Sequence, residues 1–192
     1  MNETTNVTCV GIILDGNRRW AKARGLPTLE GHRAGLLETL RTTVRFVQKK
    51  GVKHLVVYMF STENWKREPM EVSYLMDLFR TSIQTEMKEL NKEGVRVRFV
   101  GQRERFSNEL QQLMDDAEKK SMHNDAITLW CCLSYGGRAE IVAAARAAAA
   151  AGKEITEETL QSHLWTAGMP DPDIIIRTGG EKRLSNFLTW QS

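Results

Sequence analysis

With 192 residues, 41% of them hydrophobic, the chain is long enough to bury one sizeable core, and its length does not call for a second domain. Its 27 Lys and Arg against 24 Asp and Glu leave a net charge of +3, spread along the sequence rather than gathered into a basic tail, which argues against a nucleic-acid partner. The polar start "MNETTNVT" lacks the basic-then-apolar order of a secretory signal, and no apolar run approaches a spanning length, so a cytoplasmic location is expected.

In chain order, "VTCVGIIL", "HLVVYMF", "VRVRFVG", "ITLWCCL" and "DIIIRTG" read as strands. Near-continuous apolarity in most of them suits a parallel sheet covered on both faces. Between them, the segments around Gly31–Lys50, Met70–Glu93, Glu104–Met122, Gly137–Ala151 and Thr156–Trp165 favour helix by length and composition. This alternation predicts a single-domain α/β fold, an open, mostly parallel sheet flanked by helices, with ligands outside the carboxyl ends of the strands. Cys9, Cys131 and Cys132 lie in apolar runs without metal-ligand spacing and read as small buried hydrophobes.

Each strand runs into a polar segment: "DGNRRW", "STENWKRE", "GQRERF", "SYGGRAE" and "RTGGEKRLSN". In the first, Gly16 allows close backbone approach, Asn17 is placed to cap the helix that continues through "RRWAKAR", and Arg18 and Arg19 add permanent charge, a combination suited to phosphate. A carboxylate beside phosphate is repulsive unless a cation lies between them, which makes Asp15 a magnesium candidate; capping the turn is its other reading. The last cluster, with Arg177, Glu181, Arg183 and Ser185 around a Gly-Gly turn, makes a second anion cradle. Ser61 is placed to cap a helical turn that carries Asn64, Trp65 and Arg67; Trp65 fits both a core and a site position. GxGxxG, GxxxxGK[ST] and GxSxG are absent, which removes the common nucleotide and esterase signatures.

Five blocks, "DGNRRWAK", "GHRAG", "FSTENWKR", "SYGGR" and "IRTGGEKRLSNFLTWQ", in that order and spacing, resemble the cis-prenyltransferases, the family of bacterial undecaprenyl diphosphate synthases, over almost the whole chain. The resemblance implies addition of isopentenyl diphosphate to an allylic diphosphate such as farnesyl diphosphate, with Mg²⁺, a homodimer, a hydrophobic tunnel and a lipid product passed to the membrane. Carried over by position, Asp15 holds magnesium and is essential to catalysis. Gly16, Asn17, Arg18, Arg19, Trp20 and His32 bind the allylic substrate. Ser61, Thr62, Glu63, Trp65 and Arg67 extend the substrate site, and Asn64 takes the position assigned to proton acceptance, although a neutral amide is a poor base. Arg177, Arg183, Leu184 and Ser185 grip isopentenyl diphosphate.

Leu75, Leu78, Phe79, Ile83, Met87 and Leu90 form an i, i+3/i+4 stripe, read either as ordinary core or, by the resemblance, as tunnel wall. The chain departs from the family pattern at Thr28, where arginine is usual, and at Lys182, where histidine is usual. Relatives also continue beyond "LTWQS" with a segment that carries a glutamate metal ligand, so residues 1–192 read as a catalytic domain with that segment missing. Two other classes compete: a non-catalytic polyprenyl-binding subunit, which would lack the metal aspartate, and a phosphate-ester hydrolase, which would usually need a second acidic residue near Asp15.

Overall fold

The computed structural model describes residues 7–192, so most of the polar N-terminal stretch lies outside the described residues. Strands β1 (Cys9–Ile13), β2 (His54–Ser61), β3 (Val95–Val100), β4 (Ile127–Tyr135) and β5 (Ile174–Arg177) form one parallel sheet in the order β3-β4-β2-β1-β5. All five expected strands are present. Side chains alternate along each strand, and with helices on both faces each face needs apolar residues. Val10, Ile12, Leu55, Val57, Val97, Leu129 and Cys131 therefore join one core. Cys9, Ile13, Val56, Tyr58, Trp130 and Cys132 join the other, with Phe187 and Leu188 of the last segment. The three cysteines are free and buried, as their apolar settings predict.

The helices are α1 (Asn17–Ala23), α2 (Thr28–Arg33), α3 (Leu40–Lys49), α4 (Pro69–Lys92), α5 (Asn108–Ser121), α6 (Gly137–Ala150) and α7 (Glu157–His163). The expected Gly31–Lys50 helix begins earlier, at Thr28, and is interrupted by a π-helical stretch, Ala34–Thr39, between α2 and α3. The expected Glu104 start moves to Asn108, because Ser107 accepts the Leu110 N–H and so fixes the cap, after a separate 3-10 turn at Arg103–Arg105. The final expected helix, Thr156–Trp165, shortens to α7, with Thr156 capping it through the Thr159 N–H. None of the described helices is long and apolar enough to cross a membrane.

The α4 stripe packs inward: Leu75, Leu78, Phe79, Ile83, Met87 and Leu90 are all buried in the first core. Burial fits both readings open from sequence, core and tunnel wall, and Ile83 and Met87 also border a groove. A groove beside α4, lined by Met87 and Leu113, lies between α4 and α5.

Asn17 does not cap α1. Gly16 occupies the cap position with φ 95°, and no side chain caps the helix. The Asn17 amide instead packs on the π-helical stretch, where a Cβ at Gly35 would stand 2.8 Å from its Nδ2. One turn earlier, a Cβ at Gly31 would collide with the Asn17 carbonyl oxygen. The two glycines of "GHRAG" are thus the contact surface that seats α1.

On the second face, Glu140 in the first turn of α6 is fully buried and gathers neutral donors. Tyr135 Oη donates at 2.5 Å, the Thr166 N–H at 2.9 Å, Thr166 Oγ1 at 2.7 Å and Gln191 Nε2 at 3.2 Å. One carboxylate so ties the end of β4, α6, the turn after α7 and the last residues of the chain. Its removal leaves several buried donors unpaired, each costing about 1–3 kcal/mol. Glu140→Ala is expected to destabilise the fold by roughly 3 kcal/mol or more, seen as a lower urea midpoint at unchanged slope.

Candidate active site

In the β1–β5 register Ile13 pairs with Arg177, so the residues that leave the two strands start side by side. Arg177 Nε and Nη2 both donate to Asp15 Oδ2, at 2.9 and 2.7 Å, and the Gly16 N–H donates to Oδ1 at 2.7 Å. The remaining guanidinium nitrogen, Nη1, donates to the Arg183 carbonyl at 2.5 Å and to Ser185 Oγ at 2.8 Å. Thr178 closes the turn: its hydroxyl accepts the Asp15 N–H at 3.0 Å and donates to the Asp15 carbonyl at 2.6 Å. A Cβ on Gly179 would collide with Asp15 Oδ2, so only glycine allows the second loop to lie this close. Burial pushes the Asp15 pKa up, but the Arg177 hydrogen bonds, the Gly16 N–H and the charges of Arg177 and Arg19 outweigh it and hold the carboxyl below its ordinary value. It is an anion at neutral pH.

Beyond β2, Ser61 and Asn64 form a capping box around the 3-10 turn Thr62–Lys66, as the Ser61 cap predicts. Asn64 Oδ1 accepts the Ser61 N–H at 3.0 Å, so its amide nitrogen is the group left to face the cleft. Arg67 Nη1 donates to Glu71 Oε1 at 2.8 Å, and His32 Nε2 donates to the same oxygen at 3.2 Å. Arg18 stands 3.8 Å from Glu71 Oε2. His32 is mostly buried; burial first, then the charge of Arg67, lower its pKa against the opposing pull of Glu71.

The loop after β4 joins through Asn186. Its Oδ1 accepts the Arg138 N–H at 2.9 Å, its carbonyl accepts the Gly137 N–H at 2.7 Å, and its Nδ2 donates to Glu63 Oε1 at 3.2 Å. Tyr58, stacked on Phe187 at 4.8 Å, directs its hydroxyl to the carbonyls of Tyr135 and Ser185. These loops enclose a cleft of about 720 Å³ with Asp15, Arg67, Arg138 and Arg177 on its polar walls and Ile13, Met59 and Phe60 on its apolar ones.

Of the sequence-predicted residues, Asp15, Ser61, Glu63, Asn64, Arg67, Arg177, Leu184 and Ser185 line this cleft. Gly16 and Arg19 flank it, Gly16 through its N–H to Asp15 and Arg19 through a bond from Nη2 to the Gly179 carbonyl, while Asn17 is turned to Gly31 and Gly35. Arg18 and His32 meet it only through Glu71. Trp20 is partly exposed under the Arg24 guanidinium.

Three further positions also fall outside the cleft walls. Trp65 packs edge-on against Phe60 and donates to Ser134 Oγ, the core alternative left open for it. Thr62 packs at Gly136, where a Cβ would stand 2.8 Å from its hydroxyl. The Arg183 side chain, 65% exposed, pairs with Glu181, and only its backbone carbonyl reaches Arg177. Sequence reasoning missed Arg138, Asn186 and Glu71. "SYGGR" and "RLSN" contained the first two, while Glu71 was given no role, because an acidic residue in the first turn of a helix is ordinary.

A parallel α/β sheet whose strand ends converge on several guanidiniums, an ionised carboxylate and an apolar wall defines an enzyme for an anionic substrate with a hydrocarbon part. Similarity to known proteins gives its family. The family model described as "Putative undecaprenyl diphosphate synthase" matches residues 13–192. An isoprenyl transferase of Chromobacterium violaceum is 47% identical over 183 residues, covering 95% of this chain and 72% of that protein. The lavandulyl diphosphate synthase of Lavandula x intermedia, crystallised with dimethylallyl diphosphate, superposes with a TM-score of 0.91 at 34% identity, over 97% of this chain and 83% of that one. A "probable undecaprenyl diphosphate synthase" of Campylobacter jejuni superposes at 0.81 with 30% identity, over 100% and 82%. The chain belongs to the undecaprenyl diphosphate synthase family of prenyltransferases and is a transferase of the isoprenyl type.

Because the folded pKa of Asp15 lies below the ordinary 3.8, its pairing stabilises the fold fully above that value and loses this contribution as pH falls through the depressed one. Asp15→Asn is expected to cost about 1–2 kcal/mol at neutral pH, in line with loss of a charge-assisted pair. The gap from the unaltered protein should close on acidification, as read by urea unfolding across pH.

Proposed function

We propose that this prenyltransferase condenses isopentenyl diphosphate onto an allylic diphosphate of the farnesyl class, with Mg²⁺, and extends it to a long polyprenyl diphosphate such as undecaprenyl diphosphate. The observation that carries the reading is the ionised Asp15 carboxylate held by Arg177 at the foot of a cleft that also presents Arg67 and Arg138. The dimethylallyl diphosphate in the lavandulyl diphosphate synthase crystal supports an allylic diphosphate here.

The donor set fits magnesium in a restricted way. Among the described residues no group of three or more His, Cys, Asp or Glu is placed to hold a metal, and Asp15 is a single carboxylate. Magnesium binds in that manner, through one or two carboxylates, with water and substrate phosphate completing its shell. When bound, it supplies neutralisation of diphosphate charge. The chain's own groups do the rest. Arg177 and Ser185 receive the diphosphate of isopentenyl diphosphate, which the product keeps, while Arg19 and Arg67 meet the charge that grows on the allylic leaving group. The allylic carbon–oxygen bond breaks to give diphosphate and an allylic cation; the homoallylic double bond attacks it, and one proton leaves the new chain. With Asn64 Oδ1 engaged by Ser61, we assign Asn64 to positioning through its N–H groups and proton acceptance to diphosphate. Ile13, Met59 and Phe60 offer a dry wall from which the hydrocarbon grows.

A homodimer belongs to the same proposal, supported by Ile174 and Ile176, each 45% exposed on the unpaired edge strand β5. So does a cytoplasmic place of action from which the lipid passes to the membrane.

Incubation with labelled isopentenyl diphosphate, farnesyl diphosphate and Mg²⁺, followed by separation by chain length, is expected to give extended lipid, and a chelator to abolish it. Released inorganic phosphate without elongation would point to a hydrolase, and ligand binding without turnover to a carrier subunit. Arg177→Gln should lower kcat/KM for isopentenyl diphosphate about a hundredfold, the scale of losing a charge-assisted hydrogen bond to its diphosphate.

A further inference from the structure

Glu71 stands in the first turn of α4, outside every motif, and three cationic or protonatable groups from three separate elements converge on it. Arg67 arrives from the end of the 3-10 turn at 2.8 Å, His32 from the end of α2 at 3.2 Å and Arg18 from α1 at 3.8 Å. Glu71 and His32 are both mostly buried, whereas Arg18 is 61% exposed and held only loosely. Of the three, Arg67 alone lines the cleft. One of its terminal nitrogens is engaged by Glu71, which fixes the plane of the guanidinium and leaves other N–H groups free for a ligand.

We propose that Glu71 is a positioning residue: it aims Arg67 into the cleft to receive a substrate diphosphate and, through the same carboxylate oxygen, locks the α2 wall at His32 to that arginine. The inference rests on the diphosphate reading of the cleft. It has an unusual sign. A carboxylate near an anion site is repulsive, so if Glu71 did no more than balance charge, its removal would tighten anion binding. If it aims Arg67, removal weakens binding in spite of the added positive charge. The two roles predict opposite changes.

The test is calorimetric titration of inorganic pyrophosphate into the unaltered protein, Glu71→Gln, Glu71→Asp, Arg67→Gln and the Glu71→Gln/Arg67→Gln double variant, with melting curves to verify folding. Glu71→Gln is expected to weaken pyrophosphate binding about tenfold, which corresponds to about 1.4 kcal/mol. Glu71→Asp, with its charge kept and its reach shortened, should fall between. In the Arg67→Gln background the Glu71→Gln change should lose its weakening effect, because the residue it acts through is gone. NMR titration of His32 supplies a second readout: since Glu71 favours the protonated ring, His32 should titrate at lower pH in Glu71→Gln. Equal or tighter pyrophosphate binding by Glu71→Gln, or the same weakening with and without Arg67, overturns the role of Glu71 while leaving the cleft's reading intact. An unaltered protein that binds no pyrophosphate overturns that reading, and this inference with it.

Discussion

The Asp15–Arg177 pair is the constraint on which the rest of the site depends. It spans adjacent parallel strands at the point where each ends, so two loops separated by about 160 residues share one charge-assisted contact. Arg177 is almost fully engaged: Nε and Nη2 hold the carboxylate and Nη1 holds the Arg183 carbonyl and Ser185, which leaves one N–H on Nη2 for a ligand. Such a fork sets direction as well as attraction. Through it the final loop is folded back over β1 and β5, and Leu184 and Ser185 reach the cleft.

Around this pair the molecule repeatedly uses close backbone approach in place of bulk. Gly179 lets the second loop press against Asp15, and Gly31 and Gly35 let α1 settle on the helix below it. On the opposite face, the buried Glu140 holds β4, α6 and the last residues through hydrogen bonds from uncharged donors, and Asn186 stitches the same terminal segment to the loop after β4. The chain's end is thereby a wall of the site. A rigid sheet with polar loops at one edge is the ordinary solution for α/β enzymes. Here the loops are further fixed to one another, so an anionic ligand would meet donors already in place.

The five strands were legible because burial on both faces of a parallel sheet demands unbroken apolar runs, and such runs stand out in any sequence. The residues at strand ends were legible because arginine, glycine and aspartate together have few purposes there. Roles that depend on a neighbour were less so. Asn17 looked like a cap, yet capping competes with packing, and the two glycines of "GHRAG" gave its amide a better seat. Trp65 comes after the same strand as Arg67 but lies on the core side of a 3-10 turn whose orientation no periodicity announces. Arg183 sits two residues from Glu181, and that local partner holds its side chain outside the cleft.

By itself the sequence determined the class of fold, the edge of the sheet that carries the chemistry and the family to which the chain belongs, since each is set by residue type and order along the chain. Only the tertiary structure decided which side chains face one another: that Asp15 is held by Arg177, and that Glu71 gathers Arg67, His32 and Arg18. The reason is physical. Burial and strand formation are read from local pattern, whereas a hydrogen bond depends on ångström-scale placement of groups far apart in the chain, and that placement exists only once the whole core has packed.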